Sequence, residues 1–570
     1  MRLAEALEIA RRPSAGDSPR VSVSLACGFE ALHLTTFLTA ELTLRLAPAR
    51  AEVHAGLFDD LTGNVQRAAA SDVEAIAVVV EWPDLDPRLG LRRPGGWRTD
   101  QLDEIVADAR RALARLEPVI AAAAAGRRVV CVMPTLPLPP LFPPAPSQSG
   151  GHELALRRLV ADASERLTGP GGVAIASQQR LDQLSPPHAR RDVKGELAAG
   201  FPYSLGHASA LAALVAELVA APEPRKGLIT DLDDTLWAGI LDEQGPRGVS
   251  WTGEAHRHGL YQQLLASLAS AGVLIGVASR NDPELVAEAL ARRDLLISSD
   301  ALYPVAVDWG PKSGSVRRIL EAWNIGADSV VLVDDDPLAR DEAAAALPGL
   351  LTLAPPEDDD AVWGFLEQAR ALFGKGELST EDALRLTSVR SMRAVQEAAR
   401  DGSAEFLAHV GGTVEFQTGA GHARRALELV NKSNQFNLNG ERLSQADMAR
   451  ALHAGAELVT VGYADRYGPL GVIGALLVSS DDGEPRVDTW AMSCRAFARR
   501  IEHHTLRFLF DRFGVPGIAV AFRPTARNAA IRDFLASLDG RPPQGPVRVT
   551  RESLEREAPE LVHRVLTATS

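Results

Sequence analysis

Residues 227–239, GLITDLDDTLWAG, decide the reading of this chain. An apolar and β-branched run ends in Asp231-Leu232-Asp233-Asp234-Thr235. A buried strand that delivers two carboxylates two residues apart at its C-terminal end puts both on one face, because strand side chains alternate. One carboxylate can attack phosphorus while the other handles the leaving-group proton, and a hard cation beside them neutralises phosphoryl oxygens. Taken alone, the pattern also fits a helix N-cap at a strand-to-helix junction.

Three further pieces follow in order. Residues 273–278 read as a second buried strand ending at Ser279, with Asn281-Asp282-Pro283 opening a helix. Lys312 stands in Trp309-Gly310-Pro311-Lys312, and residues 330–333 run into Asp334-Asp335-Asp336-Pro337. A strand-end hydroxyl, an ammonium and a second acidic cluster supply a phosphate hydrogen bond, a phosphate counter-charge and a metal ligand. This ordered set resembles the haloacid dehalogenase (HAD) superfamily of phosphohydrolases. The resemblance implies that Asp231 is a nucleophile forming an aspartyl-phosphate and Asp233 the general acid/base. It makes Ser279 and Lys312 the phosphate binders, and Mg²⁺ the cofactor, held by Asp231, Asp233 and Asp334, with Asp335 a further ligand candidate.

Length and composition bound what surrounds this core. The chain has 570 residues, 46% hydrophobic and 24% charged, ordinary for globular protein and enough for about three or four domains. Its net charge of −14 repels phosphate backbones, which argues against a general nucleic-acid or anionic-membrane surface. Any acidic partner needs a local basic patch. Cys27, Cys131 and Cys494 lack metal-like spacing and make no disulfide framework. The first residues, MRLAEALEIARRPSAGDSPR, lack the apolar core of a secretion signal, and no run of about 18 apolar residues exists to span a bilayer. A cytoplasmic location is expected. Only five basic residues are lysines, Lys194, Lys226, Lys312, Lys375 and Lys432. Where arginine replaces lysine wherever tolerated, a retained lysine marks a need for a compact ammonium; chance survival is the alternative at any one position.

The predicted architecture is α/β. Residues 1–222 read as an N-terminal region with strands at 21–25, 75–80, 129–133 and 172–176 and alanine-rich helical segments between them, the alternation of a helix-covered parallel sheet. The proline-rich residues 134–146 are an irregular surface connection or a lid, and Pro222-Glu223-Pro224 is a linker. A central domain spans 226–372. The spacing from Asp233 to Ser279 has room only for a hairpin and a helix, and that from Ser279 to Lys312 only for a helix and a strand. No cap domain is inserted, so the site is open. A third domain, 375–548, begins with a helical stretch at 381–400, continues with strands at 414–416, 458–461 and 472–478, and closes with a helix near 527–535. It resembles the acetyltransferase (GNAT-like) fold, but lacks the usual loop for the coenzyme A pyrophosphate. Residues 549–570 are read as a tail.

Residues 430–438, VNKSNQFNL, and Trp490-Ala491-Met492-Ser493-Cys494-Arg495 sharpen the assignment. Together with DLDDTLWAGI, WGPKS and VDDDP, they resemble the FkbH-like proteins of polyketide pathways. The resemblance implies a bifunctional glyceryltransferase/phosphatase. Such an enzyme takes D-1,3-bisphosphoglycerate, moves its acyl group through an enzyme thioester to the phosphopantetheine thiol of an acyl carrier protein, and removes the remaining phosphate. An acyl phosphate acylates a thiol without ATP, in keeping with the absence of a Walker-type loop. Cys494 occupies the family's Met-Ser-Cys-Arg motif, and flanking cations would lower its pKa; the alternative is a small buried hydrophobe. Asn431, Lys432, Asn434, Gln435 and Asn437 can hold a polyhydroxylated acid by its hydroxyls and carbonyl, or can form a turn stabilised by their own hydrogen bonds. Arg495, Arg499, Arg500, Arg523, Arg527 and Arg532 make either a docking surface for an acidic carrier or solvated helix faces. Ala278 stands where the common family form has cysteine, and Asp234 where it has asparagine.

The N-terminal region resembles SGNH hydrolases, with Cys27 near the position of their nucleophilic serine and His207 near that of their histidine. No Gly-Asp-Ser block follows its first strand, and a buried Cys27 with an ordinary surface His207 is the favoured reading. Two other functions stay open for the whole chain: a stand-alone Mg²⁺-dependent phosphatase on a small phosphorylated acid or sugar, and a carrier-binding scaffold without turnover.

Overall fold

The computed structural model describes residues 1–12, 20–94, 97–168, 172–376, 378, 382, 384–387, 389–390, 404–433, 435–466, 468–481, 484–493, 496–497, 499–525 and 527–569. The chain forms two compact units, Met1–Pro222 and Glu223–Ser570.

The first unit is built on five parallel strands, β1 (Arg20–Cys27), β2 (Arg50–Ala55), β3 (Ala75–Val79), β4 (Arg128–Val132) and β5 (Ala174–Ile175), in the order β2-β1-β3-β4-β5. Alternation explains why β3 and β4 read as unbroken apolar runs. Ala75, Ala77 and Val79 enter one core with the helices Leu32–Arg45 and Leu205–Val219. Ile76 and Val78 enter the other with Leu61–Ala70, Leu102–Ala124 and Gly151–Thr168. A strand buried on both faces cannot show a polar side. The edge strand β2, with the sequence RAEVHA, is mostly half-buried or exposed and gave no such signal.

The second unit contains two sheets. The first is a parallel sheet of β6 (Gly227–Thr230), β7 (Leu274–Ser279), β8 (Leu302–Val307), β9 (Val330–Val333) and β10 (Leu351–Leu353), in the order β10-β9-β6-β7-β8. The three central strands, β6, β7 and β9, are buried along their whole length. Between β6 and β7 lie a four-residue helix, a bridge between Ala238 and Ser250, and the helix His256–Ser270. Between β7 and β8 lies the helix Pro283–Leu290. Both connections are too short for an inserted domain.

The helix Lys312–Trp323 is docked at its far end by a close approach. Trp323 is 1% exposed, and its indole donates to the Tyr303 carbonyl at 2.8 Å. Its ring lies over Gly227 of β6 and Gly276 of β7; a Cβ on those residues would stand 2.5 and 2.9 Å from ring atoms. Glycine in two central strands is unfavourable by propensity, and here it makes room for an indole.

The other sheet has seven strands, β11 (Thr413–Thr418), β12 (Glu457–Asp465), β13 (Gly468–Asp481), β14 (Glu484–Met492), β15 (Gly517–Val520), β16 (Val547–Thr550) and β17 (Arg564–Thr569), in the order β16-β15-β14-β13-β12-β11-β17. β11 to β14 form an antiparallel meander. β14 and β15 run parallel and pair over only two residues, Arg486 with Ala519 and Val487 with Val520. The segment expected as a tail is folded instead: a helix, Arg551–Glu557, follows β16, and β17 pairs in parallel with β11 from Thr413–Arg564 to Thr418–Thr569. The helical stretch expected at 381–400 falls largely outside the described residues.

A methyl group at Gly276 would collide with both Trp323 and Ile319. Gly276→Ala is expected to destabilise the protein by about 1–3 kcal/mol, measured as a lower midpoint in urea with an unchanged slope.

Candidate active site

Strand register brings two carboxylates together. β6 pairs with β9 so that Thr230 lies opposite Val333; the next residue on each strand is Asp231 or Asp334. The Asp231 amide donates to the Val333 carbonyl at 2.9 Å. Between the two carboxylates stands Lys312, the first residue of its helix after Pro311. Its Nζ lies 2.7 Å from Oδ1 of Asp231 and 2.8 Å from Oδ2 of Asp334, and it donates to the Ala278 carbonyl at 3.0 Å. All three side chains are buried. Burial pushes the Asp231 carboxyl up to about 6 against the opposing pull of Lys312. For Lys312, burial works against the charge, but Asp231 and Asp334 win, and its pKa is raised. Ala278 at the end of β7 thus contributes a carbonyl. Ser279, the last residue of that strand, is 3% exposed.

Asp231, Asp334 and Asp335 each offer a carboxylate oxygen, all within 4.8 Å of one another. Among the described residues, Oδ2 of Asp334 is buried and has no hydrogen bond beyond its ion pair with Lys312. Three hard oxygen donors with one lysine between them leave an excess of negative charge, the donor set that suits a hard divalent cation. Asp233, expected among the ligands, contributes no side-chain oxygen to this group. The strand ends at Thr230, so simple alternation does not carry on to residue 233. Its Oδ1 accepts from the Trp237 indole at 2.9 Å and the Leu241 amide at 3.1 Å, and its Oδ2 from Asn281 Nδ2 at 2.9 Å. Burial raises the pKa of Asp233, and these donors oppose it. Asp234 takes a left-handed conformation, φ 49°, and accepts from the Gly239 amide at 2.8 Å. Asparagine and aspartate both tolerate that region, which accounts for either residue at this place. Neither Trp237 nor Asn281 carried a sequence signal beyond its nearness to a motif.

The asparagine cluster of the third sheet has a local structural role. Asn431 donates to the Leu443 carbonyl at 2.8 Å and accepts from the Leu443 amide at 2.9 Å. Asn437, 0% exposed, donates to the carbonyls of Val430 and Ser433 and accepts from the Gly440 amide. Both amides are committed to backbone, which is the turn alternative. Lys432 and Gln435 are exposed. Asn434, Cys494 and Arg495 lie outside the described residues. Arg499 cannot belong to a docking surface, because it is 0% exposed and lies 3.6 Å from Asp465. Arg523, Arg527 and Arg532 are exposed.

In the first unit, Cys27 and His207 do not form a pair. Cys27 is 2% exposed at the end of β1, and burial, aided by Asp84, pushes its thiol up to about 12. Cys131 is pushed up likewise. His207, expected at the surface, is 1% exposed. Both of its nitrogens are taken, Nε2 by Thr135 Oγ1 and Nδ1 by Ser185 Oγ, each at 3.0 Å. Thr135 also donates to buried Glu81, which Tyr203 reaches at 2.8 Å. Burial, with Arg190 nearby, brings the His207 pKa down to about 3. This is a closed polar core, with its histidine recruited by burial and not by a nucleophile.

The sequence matches no protein-family model and no curated protein. The structure matches the crystal structure of the N-terminal part of a Bacteroides fragilis protein containing a phosphatase domain, complexed with Mg. The TM-score is 0.52 and the identity 18%, over 66% of this chain and 100% of that one. An uncharacterized protein from Corynebacterium glutamicum matches over 26% of this chain and 98% of its own, at 22% identity with a TM-score of 0.20, too little to carry an argument. The first likeness shows a shared α/β fold. Among the described residues, no helix is long and apolar enough to cross a membrane.

Because His207 is neutral in the folded protein well below its ordinary 6.5, the unfolded chain takes up its proton first as pH falls. Stability present above pH 6.5 is therefore lost between there and about 3. Thermal melts of wild type and His207→Gln should diverge in slope across that window. The wild type should lose on the order of a few kcal/mol more than the variant.

Proposed function

We propose that this chain is a Mg²⁺-dependent phosphatase of the HAD type, coupled to transfer of a glyceryl unit from D-1,3-bisphosphoglycerate to an acyl carrier protein. The phosphatase half rests on one observation, the Lys312 ammonium held between the carboxylates of Asp231 and Asp334 at 2.7 and 2.8 Å. Asp231, Asp334 and Asp335 are the residues that would hold Mg²⁺. The ion, when bound, would offset the charge of the phosphoryl oxygens. Asp231 attacks phosphorus through a carboxylate oxygen, and the P–O bond to the substrate breaks. Asp233, fixed by Trp237 and Asn281, gives its proton to the departing oxygen. It then takes a proton from the water that hydrolyses the aspartyl-phosphate. Lys312 and Ser279 hold the phosphate.

The transfer half rests on the resemblance of the third region and on its fold. β14 and β15 pair over only two residues. Beyond them the 436–438 segment pairs with β14, the Leu438 amide donating to the Trp490 carbonyl and the Met492 amide to the Phe436 carbonyl, each at 2.9 Å, which sets the asparagine motif beside the strand that Cys494 follows. Cys494 follows β14 and would carry the acyl group as a thioester before its transfer to the carrier thiol. The absence of an inserted cap over the Asp231 centre suits a phosphate delivered on a carrier protein. The backbone commitments of Asn431 and Asn437 favour a second reading, a stand-alone phosphatase on a small phosphorylated acid.

Asp231→Asn should lower phosphate release by roughly 10⁴-fold or more, while Asp334→Ala should be partly restored by excess Mg²⁺. Near wild-type release by Asp231→Asn would remove that residue from the chemistry. Cys494→Ala should stop carrier loading, read by intact mass, yet leave hydrolysis of a pre-loaded phosphoglyceryl-carrier unchanged. Normal loading by that variant would remove Cys494 from the transfer, and no loading by the wild type would leave only the stand-alone phosphatase.

A further inference from the structure

A cavity of about 520 Å³ opens between the helix Ile501–Phe513 and the strands β11 and β17. None of its lining residues belongs to the Asp231 centre. Its volume falls in the range of small-molecule sites. Two histidines form part of its wall, His504 and His563, joined Nε2 to Nδ1 at 3.1 Å. Both rings are more than nine-tenths buried, and burial keeps each neutral, with a pKa near 4.

The direction of the proton in this pair follows from its outer atoms. Nε2 of His563 is buried and has no hydrogen-bond partner among the described residues. A buried lone pair left unmade is less costly than a buried N–H left unmade, so the proton of His563 sits on Nδ1 and is donated to Nε2 of His504. His504 then carries its own proton on Nδ1, which has no protein partner among the described residues. A neutral donor is left on the cavity wall.

The same helix face supplies a charge. Residues 504, 507, 508 and 511 recur at helical spacing and all line the cavity. Asp511 is paired with Arg551 at 2.8 Å, and Arg512 with Glu457 at 3.1 Å. Arg507 is exposed and has no carboxylate partner among the described residues. One unpaired planar guanidinium matches a carboxylate in a bidentate grip. Thr418 and Thr567 add hydroxyls, and Phe508, stacked on Phe416 at 4.3 Å, makes an apolar floor. We infer that this cavity is a second ligand site, which takes a small hydroxylated carboxylate: its carboxylate meets Arg507 and a hydroxyl accepts from His504 Nδ1.

The test is calorimetric titration of the full chain with D-glycerate, gluconate and propionate. At least one hydroxy acid should saturate a single site, with propionate weaker. Arg507→Ala should weaken binding about tenfold or more, and His504→Gln should weaken it too. Asp231→Asn should leave it unchanged, which separates this site from the phosphatase centre. The inference is overturned if neither hydroxy acid saturates at millimolar concentration or if binding survives both cavity substitutions. It is likewise overturned if Asp231→Asn abolishes binding; propionate binding as tightly as the hydroxy acids overturns the hydroxyl contact.

Discussion

Two carboxylates on neighbouring buried strands repel each other, and this site exists because Lys312 stands between them. An unpaired carboxylate at that depth would be neutralised or would destabilise the sheet. The compact ammonium reaches Asp231, Asp334 and the Ala278 carbonyl at once, which a planar guanidinium would not do from the same backbone position. Much of the parallel sheet serves that geometry. The register of β6 against β9 sets the carboxylates side by side. The glycines of β6 and β7 let Trp323 anchor the far end of the helix whose first residue is Lys312.

The legible parts of the sequence were those where local pattern and chemistry coincide. DLDDT after a buried run, a lysine kept in an arginine-rich chain and VDDDP after another buried run each name a strand end and a charge together. Their meeting in space follows from the order of parallel strands. Trp237 and Asn281 were not legible as partners of Asp233, since hydrogen bonds between loops leave no periodic trace. His207 was misjudged for a related reason. A polar residue reads as exposed unless its partners are known, and Thr135, Ser185 and Glu81 come from distant segments. The asparagine cluster was legible in both of its meanings, and the backbone partners of Asn431 and Asn437 decide between them.

The third sheet shows how polar groups are distributed when the core is a mixed sheet. Arg499, Asp465, Tyr463 and His563 are drawn inward at the ends of β12 and before β17. Here Arg499 lies over the Tyr463 ring at 5.3 Å, and burial, with Arg499 adding to it, lowers the proton affinity of His563. Of the arginines that remain outside, Arg523 and Arg532 each have a nearby carboxylate. Counting arginines in a segment therefore overstates the charge available to a partner.

The pairing of β17 with β11 has a consequence for how this unit forms. The two strands lie side by side but are separated by about 150 residues of chain, and contacts of such sequence separation slow folding because loop closure precedes their reward. Until β17 arrives, β11 is an edge with open hydrogen-bonding groups, a template for another chain's strand. The meander β11–β14 can assemble early from neighbouring hairpins, while the sheet closes late. The interval between the two is when this protein is most exposed to association with copies of itself.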